Sequence, residues 1–155
     1  MKHRIRAAGI LEEAGKLLLL RVEDHTGQYW TPPGGGMEAH DQGTRDTVKR
    51  EFFEETGLTV EVGAFLFARE LLETSKSRYH AEFFYRIASW QGEITQQYLK
   101  GLNDESYIKE AAWLSQHELQ ALRVYPKEIK HEIWDILREN RYSLHLGRFI
   151  EESPL

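Results

Sequence analysis

Three glutamates near the centre of the chain have the residue type and the spacing of a metal-binding site. Glu51, Glu54 and Glu55 stand at positions i, i+3 and i+4, so on a helix their carboxylates share one face within a single turn. Val48 and Phe52 form an apolar stripe beside them, which places the carboxylates at the edge of the buried face, where their mutual repulsion is strengthened. Hard divalent cations such as Mg²⁺ take oxygen ligands and would relieve that repulsion.

The helix that carries these glutamates is predicted to begin at Thr44 as its N-cap and to end before Gly57. Glu54 and Glu55 then fall in its last turn, where the helix dipole disfavours negative charge by roughly 0.3–1 kcal/mol each. Arg50 stands four residues before Glu54 and could hold that carboxylate in place. A solvated acidic face is the alternative interpretation, and the conflict with the dipole disfavours it.

A glycine triplet, Gly34–Gly36, precedes the helix and follows Pro32-Pro33, which fix a stiff extended entry. Backbone without Cβ atoms can approach a phosphate closely or present a carbonyl to a metal ion. A flexible turn is the other interpretation of the triplet, and the acidic helix behind it favours the functional one.

The segment Arg50–Leu58 carries all six fixed residues of the pattern R-E-U-x-E-E-x-G-U, in which U is a bulky apolar residue. It resembles the second half of the Nudix box, G-x5-E-x7-R-E-U-x-E-E-x-G-U, the signature of the Nudix hydrolase family. The first half departs from the pattern. With Gly36 as the box glycine, Gln42 stands where the family has a glutamate; with Gly35, Asp41 stands there and one residue is inserted before Arg50. Both registers remain open at this point.

The resemblance implies an α/β fold, an α/β/α sandwich around a mixed β-sheet, over roughly residues 4–140. It also implies Mg²⁺-dependent, or Mn²⁺-dependent, hydrolysis of a nucleoside diphosphate derivative, ADP-ribose-like or a nucleoside triphosphate, by attack of water on phosphorus. Glu51, Glu54 and Glu55 would bind the metal, the carbonyl of Gly36 (or Gly35) would join them, and Arg50 would orient the glutamates. A non-catalytic nucleotide-sensing module is the alternative, supported by Gln42 and opposed by the intact glutamates. A purely structural or protein-binding acidic surface is a third reading.

Nudix proteins often add a further glutamate, as a ligand or a general base, from the region before the last strand. Glu105, on a predicted loop, and Glu110, on a predicted strand, are the candidates, and a surface position is as good an interpretation of each. The general base would be one of these two or a box glutamate such as Glu54. Several side chains are candidate substrate contacts or base-stacking groups, although aromatic side chains more often belong to the core; they are Tyr29, Trp30, Phe67, His80 and Phe84.

Alternation of polar and apolar residues, a buried leucine run and enrichment in β-branched and aromatic residues together predict five strands. They are Arg4–Leu11, Lys16–Val22, Thr59–Phe67, Tyr79–Ile87 and Tyr107–Leu114, with loops at 72–77 and 96–106. In the fourth strand, the apolar set from Tyr79 to Ile87 is predicted to face the core. The alternate set, which includes His80, Glu82 and Phe84, is predicted to face solvent or a site.

The C-terminal part is predicted to be helical and then irregular. Ser115 and Glu118 form a capping box that opens a short helix to about residue 122. Pro126 suits the first turn of a second helix, whose apolar stripe must pack on the sheet; the stripe consists of Ile129, Ile133, Ile136 and Leu137. Residues 142–155 show no regular pattern and could pack across the domain or form part of a homodimer.

Composition is typical of one globular domain spanning residues 1–155, with a tail from 141. The chain has 155 residues, 41% of them hydrophobic, a formal net charge of −5 and no cysteine. The absence of a Lys/Arg-rich run makes a long nucleic acid an unexpected partner. The resemblance implies a small nucleotide as the substrate. No segment has the length of a signal peptide or a membrane span, and a cytoplasmic protein is therefore expected.

Overall fold

The computed structural model of the protein describes residues 1–152, which form two β-sheets flanked by helices. The strands are β1 Lys2–Ile10, β2 Glu12–Glu13, β3 Lys16–Asp24, β4 Gly27–Thr31, β5 Gly34–Gly36, β6 Thr59–Glu73, β7 Arg78–Gln91, β8 Ile108–Ser115 and β9 Leu144–Ile150. The α-helices are α1 Thr44–Thr56, α2 Gln116–Leu119 and α3 Glu132–Arg138, and short 3-10 turns include Lys127–Lys130 just before α3.

The larger sheet is mixed, in the order β5-β1-β7-β6-β9. Its central pair, β1 and β7, is parallel, and so is the outer pair of β6 and β9, whereas β1 pairs with β5 and β6 with β7 in antiparallel fashion. The smaller sheet is antiparallel and centres on β3, which pairs with β8 as well as with β2 and β4. The glycine triplet therefore forms an edge strand of the larger sheet.

Two apolar cores lie on opposite faces of the larger sheet, which confirms the layered α/β architecture with a mixed sheet. On one face, Val48 and Phe52 of α1 pack with Ala7 and Tyr85. On the other face, Ile133 and its neighbours in α3 pack in a separate cluster that includes Phe67 and Phe84. Each helix buries an apolar stripe against the sheet, so α1 is fixed beside β1 and β5.

On β7, the apolar set faces the core beside α1 as predicted, and Tyr85 and Ile87 are buried there. The alternate set is not exposed to solvent, because His80, Glu82 and Phe84 are buried as well. The polar set is covered because α3 and the residues before it pack over this face, and Glu82 accepts hydrogen bonds from side chains on β6 and just before the 3-10 turn. Alternation separated the two faces of the strand but could not show that elements remote in the sequence cover the polar one.

Two boundaries and one further strand also differ from the predictions. β6 continues to Glu73, through part of the predicted loop 72–77, because its antiparallel pairing with β7 continues as far as Arg78. The N-cap of α1 is Gly43, and the hydroxyl of Thr44 instead shares a 2.6 Å hydrogen bond with that of Tyr85. The segment predicted to be irregular contains β9, which adds to the sheet through main-chain pairing with β6; residues 153–155 of that segment lie outside the described part.

None of the helices formed by residues 1–152 combines the length and the apolar character that crossing a membrane requires.

Candidate active site

Two of the box glutamates converge with a loop aspartate at the edge of the larger sheet. α1 ends at Gly57, which adopts a left-handed φ of 80° and donates its N–H to the carbonyl of Phe53. One turn of helix separates Glu51 from Glu55, so both carboxylates project to the same side, where both are buried. One carboxylate oxygen from each of Glu51, Glu55 and Asp104 lies within 4.8 Å of the others.

Burial and mutual repulsion disfavour charge on this cluster. Burial is the largest cause that raises the pKa of Glu55 well above its usual value, and repulsion from Glu51 adds to it. The pKa of Glu51 is also raised, first by burial, although Arg50 opposes the rise. Asp104 contributes repulsion to both groups. The cluster is thus short of positive charge when it is fully ionised.

The glycine strand β5 fits closely against these carboxylates. The N–H of Gly34 donates to Oε1 of Glu55 at 2.9 Å. A Cβ atom on Gly35 would lie 2.5 Å from Oε1 of Glu51, closer than real Cβ contacts allow, so only glycine leaves that carboxylate in place. The carbonyl of Gly36 accepts a 3.0 Å hydrogen bond from Arg50, which turns it toward the acidic side of α1.

Arg50 braces the site, and the structure shows which residue supports it. Its Nε and Nη2 donate to the two carboxylate oxygens of Asp41 at 3.1 and 2.9 Å, and its Nη1 donates to Glu51 at 3.0 Å. Asp41 also accepts from the hydroxyl of Thr47 at 2.9 Å, and its side chain is only 2% exposed. Its hydrogen bonds to Arg50 lower the pKa of Asp41 far below its usual range.

The neighbouring Gln42 is exposed, and its backbone N–H donates to Asp46 at the start of α1. Asp41 therefore occupies the structural role of the missing box glutamate, in the register of Gly35 with one inserted residue. Gln42 does not interrupt the arrangement, so it does not support a non-catalytic module.

Of the other carboxylates named from the sequence, none joins the cluster within the described residues. Glu54 lies 3.5 Å from Nη1 of Arg50, with its side chain 26% exposed. Glu105 accepts from the N–H of Gly101, and Glu110 forms a 2.9 Å ion pair with Arg21 on the smaller sheet. The loop residue brought to the box glutamates is Asp104, next to Glu105 in the sequence.

The aromatic candidates for substrate contact belong mainly to the cores. Phe67 and Phe84 stack on each other with ring centroids 4.6 Å apart, and Trp30 is buried in the same cluster. His80 is buried, and its Nε2 lies 2.9 Å from Glu73. Phe84 also lines a small cavity beside the glycine strand, and the structure leaves Tyr29 partly buried.

That cavity exposes polar groups that the sequence did not single out. Its lining includes Gly34 and Gly35 and the polar side chains of Arg6, Glu82 and Tyr125. The hydroxyl of Tyr125 donates to Glu82 at 2.7 Å. Glu82 lies on the buried face of β7. The only indication of these polar groups in the sequence was the alternate set of residues in the predicted fourth strand, which contains Glu82.

Arg69 donates to Glu82 at 2.9 Å and to Glu128 at 2.8 Å, and all three side chains are almost fully buried. Such a network holds Glu82 at a fixed position, since separating buried ionic partners is costly. The lining of the cavity is therefore rigid at Glu82.

The cluster meets the chemical requirements of a divalent metal site. Its donors are carboxylate oxygens, as Mg²⁺ and Mn²⁺ prefer, and a cation would offset both the burial cost and the repulsion between Glu51 and Glu55. The carbonyl of Gly36 and the carboxylate of Glu54 lie around Arg50, at the border of the cluster. The residues present thus fit a bound cation.

Comparisons with known proteins agree with this geometry. A family model described as the NUDIX domain matches residues 1–135. A sequence comparison with curated proteins found no match. Similar solved structures include the E. coli ORF135 protein, with 24% identity, a TM-score of 0.68 and coverage of 91% of this chain and 94% of that chain. The MutT NUDIX hydrolase from Burkholderia pseudomallei has 17% identity, a TM-score of 0.70 and coverage of 85% and 98%.

The Mutator MutT protein from Bacillus halodurans is similar over 93% of this chain and 90% of its own, with 23% identity and a TM-score of 0.66. At these identities the solved structures show the fold that the chain shares with them. The family model covers most of the chain, and it includes the helix and the glycine strand that together form the acidic cluster. The chain belongs to the Nudix family.

Proposed function

We propose that the protein is a Mg²⁺-dependent hydrolase that cleaves a phosphoanhydride bond in a small nucleoside diphosphate derivative. The observation that carries the proposal is the convergence of Glu51, Glu55 and Asp104 against the glycine strand, with the box arginine bound in place. Membership of the Nudix family and the names of the similar structures, a MutT NUDIX hydrolase among them, support the same class of reaction.

In this proposal Glu51, Glu55 and Asp104 hold Mg²⁺, or Mn²⁺ in its place. The carbonyl of Gly36, or that of Gly35, the box glycine in the register that Asp41 supports, is the candidate for a further ligand. The bound ion would neutralise the diphosphate and lower the pKa of a coordinated water. Groups of the protein itself hold the metal-binding carboxylates in position. The hydrogen bond from Gly34 fixes one oxygen of Glu55, and the pairing of Arg50 with Asp41 fixes the guanidinium that donates to Glu51.

Glu54 is our candidate for the general base. Of the three box glutamates it has the most solvent-accessible carboxylate, and burial raises its pKa, which improves its capacity to accept a proton. It would take a proton from the attacking water, while Arg50 at 3.5 Å restricts the rotamers of its side chain. Glu105 and Glu110 are weaker candidates because each has a partner away from the cluster.

Release of phosphate products from a panel of nucleotides, with and without Mg²⁺, tests the proposal. The panel should include ADP-ribose, nucleoside triphosphates and dinucleoside polyphosphates. We expect turnover of at least one compound in Mg²⁺ and none in EDTA, with a loss of at least about 100-fold in Glu55→Gln and Glu54→Gln. Glu110→Gln is the matched control, because its carboxylate lies on the smaller sheet. Wild-type protein that turns over no compound, or full activity in Glu55→Gln, would refute the proposal.

A further inference from the structure

Two arginines on β1 stand beside the site without an anionic partner. Arg4 and Arg6 are two residues apart on the strand and paired in register with His80 and Glu82 of β7, so they project from the same face of the sheet. Both are half-buried. None of the ion pairs formed by residues 1–152 includes either guanidinium, although Arg50 and Arg69 are both paired.

Both guanidinium groups lie next to the glycine strand. The Arg4 guanidinium occupies the space that a Cβ atom on Gly36 would need, and Arg6 lines the cavity that Gly34 and Gly35 border. Arg6 is also close enough to the cluster to oppose the rise in the pKa of Glu55. The two arginines thus lie on the face of β1 that α3 packs against, next to the glycine strand whose other contacts are with the acidic cluster.

The carboxylates nearest to the pair are already engaged. Glu73 is near Arg4 and interacts with His80 at 2.9 Å, while Asp104 belongs to the acidic cluster. Glu82 is the register neighbour of Arg6, but its Oε1 accepts from Arg69 and Tyr125 instead. The protein therefore places two adjacent, partly desolvated cations at its site and supplies neither with a counter-charge.

We infer that Arg4 and Arg6 bind a phosphoryl group of the substrate other than the diphosphate held at the acidic cluster. This inference rests on the proposed function and narrows it: the substrate carries at least three phosphoryl groups, as in a nucleoside triphosphate or a longer polyphosphate. A guanidinium presents N–H donors in a fork that matches phosphate oxygens, and two of them on one strand face bracket a single anionic group. The bound anion also removes the repulsion between the two cations.

Isothermal titration with inorganic tripolyphosphate in EDTA tests the arginines without metal and without catalysis. Wild-type protein should bind tripolyphosphate, and Arg4→Gln and Arg6→Gln should each weaken binding by about 10-fold or more. Arg4→Lys and Arg6→Lys keep the charge but lose the fork, so they should recover only part of the affinity. Arg148→Gln is the matched control, because it makes the same charge change on the opposite face of the same sheet and is exposed. Circular dichroism of each variant verifies its fold.

The outcomes separate this inference from the proposed function. If tripolyphosphate binds and both glutamine variants lose it while Arg148→Gln does not, the arginine site stands even if no nucleotide in the panel is hydrolysed. If folded Arg4→Gln and Arg6→Gln bind as the wild type does, or if Arg148→Gln loses as much affinity, the inference is wrong. It is equally wrong if the wild type does not bind tripolyphosphate, whatever its activity toward diphosphate compounds.

Discussion

Replacing Asp41 by asparagine is the most informative single change outside the acidic cluster. The asparagine side chain has nearly the same shape but carries no charge, and one of its two terminal groups is a donor that would face the donors of Arg50. The change keeps the packing of the loop and removes the bidentate ion pair, in which the two distances are 3.1 and 2.9 Å. It therefore isolates the contribution of the Asp41 charge.

The size of the effect follows from burial and from the partners that remain. Breaking a buried ion pair by changing one partner typically costs about 3–5 kcal/mol. Arg50 keeps Glu51 at 3.0 Å, and its side chain is 15% exposed, so part of this cost is recovered. We expect the free energy of unfolding to fall by about 2–3 kcal/mol, which for a chain of this size lowers Tm by about 5–10 °C.

Urea and thermal unfolding measure this change, with Gln42→Ala as the matched control. Gln42 is the next residue, it is exposed, and its side chain makes no hydrogen bond within the described residues, so its replacement should change stability by less than about 0.5 kcal/mol. Affinity for Mn²⁺ should fall by about 10–100-fold in Asp41→Asn, because Arg50, which donates to Glu51, then loses the bidentate support that fixes its position. Equal effects of the two substitutions, or none for Asp41→Asn, would refute the role assigned to Asp41.

Two further predictions concern the cluster itself. In Gly35→Ala, the new Cβ atom would displace the carboxylate of Glu51, so Mn²⁺ binding measured by electron paramagnetic resonance should weaken by about 10-fold or more. Gly43→Ala is the control and should bind Mn²⁺ normally, because a Cβ atom there meets no atom within 4 Å. Normal binding by both variants would contradict the close fit between Gly35 and Glu51. The second prediction follows from the raised pKa values of Glu51 and Glu55. Because of them, the folded state binds more protons than the unfolded state above the ordinary carboxyl range. The free energy of unfolding therefore falls as pH rises above that range. Tm in EDTA should thus fall between about pH 5 and pH 8, the increase in Tm caused by Mg²⁺ should grow over the same range, and Glu55→Gln should flatten both trends; a flat wild-type profile would contradict the account of the charges.

The part of the site that the sequence predicted is the part determined by local geometry. Glu51 and Glu55 are one helical turn apart, so any helix through them places both carboxylates on one side, and Gly57 marks where that helix ends. The support of Arg50 could not be decided in the same way. It depends on how the loop before α1 turns, and only the structure shows that Asp41 rather than Gln42 points inward.

The contribution of Asp104 could not be predicted because it depends on tertiary packing. Asp104 and Glu105 are adjacent acidic residues on the connection between β7 and β8, and the path of this loop decides which one reaches the cluster. The buried Arg69 network has the same origin. Glu128, which pairs with Arg69, lies 59 positions further along the chain. The sequence of β7 alone therefore could not show that its polar face would be buried beside this network.

The C-terminal strand, β9, could not be predicted from the sequence for a different reason. β9 pairs in parallel with β6 at the edge of the sheet, and its side chains alternate only between partly buried and exposed. Main-chain hydrogen bonds to an existing strand stabilise such a segment, and these leave little trace in the pattern of side chains.

The most direct test of the central claim is the position of a metal ion in a crystal of the protein soaked in Mn²⁺. We expect an anomalous difference peak in contact with the carboxylates of Glu51 and Glu55, with Asp104 facing it, and no such peak in crystals of Glu55→Gln. An ordered wild-type crystal with no peak at these carboxylates, or with its strongest peak elsewhere on the surface, would contradict the account.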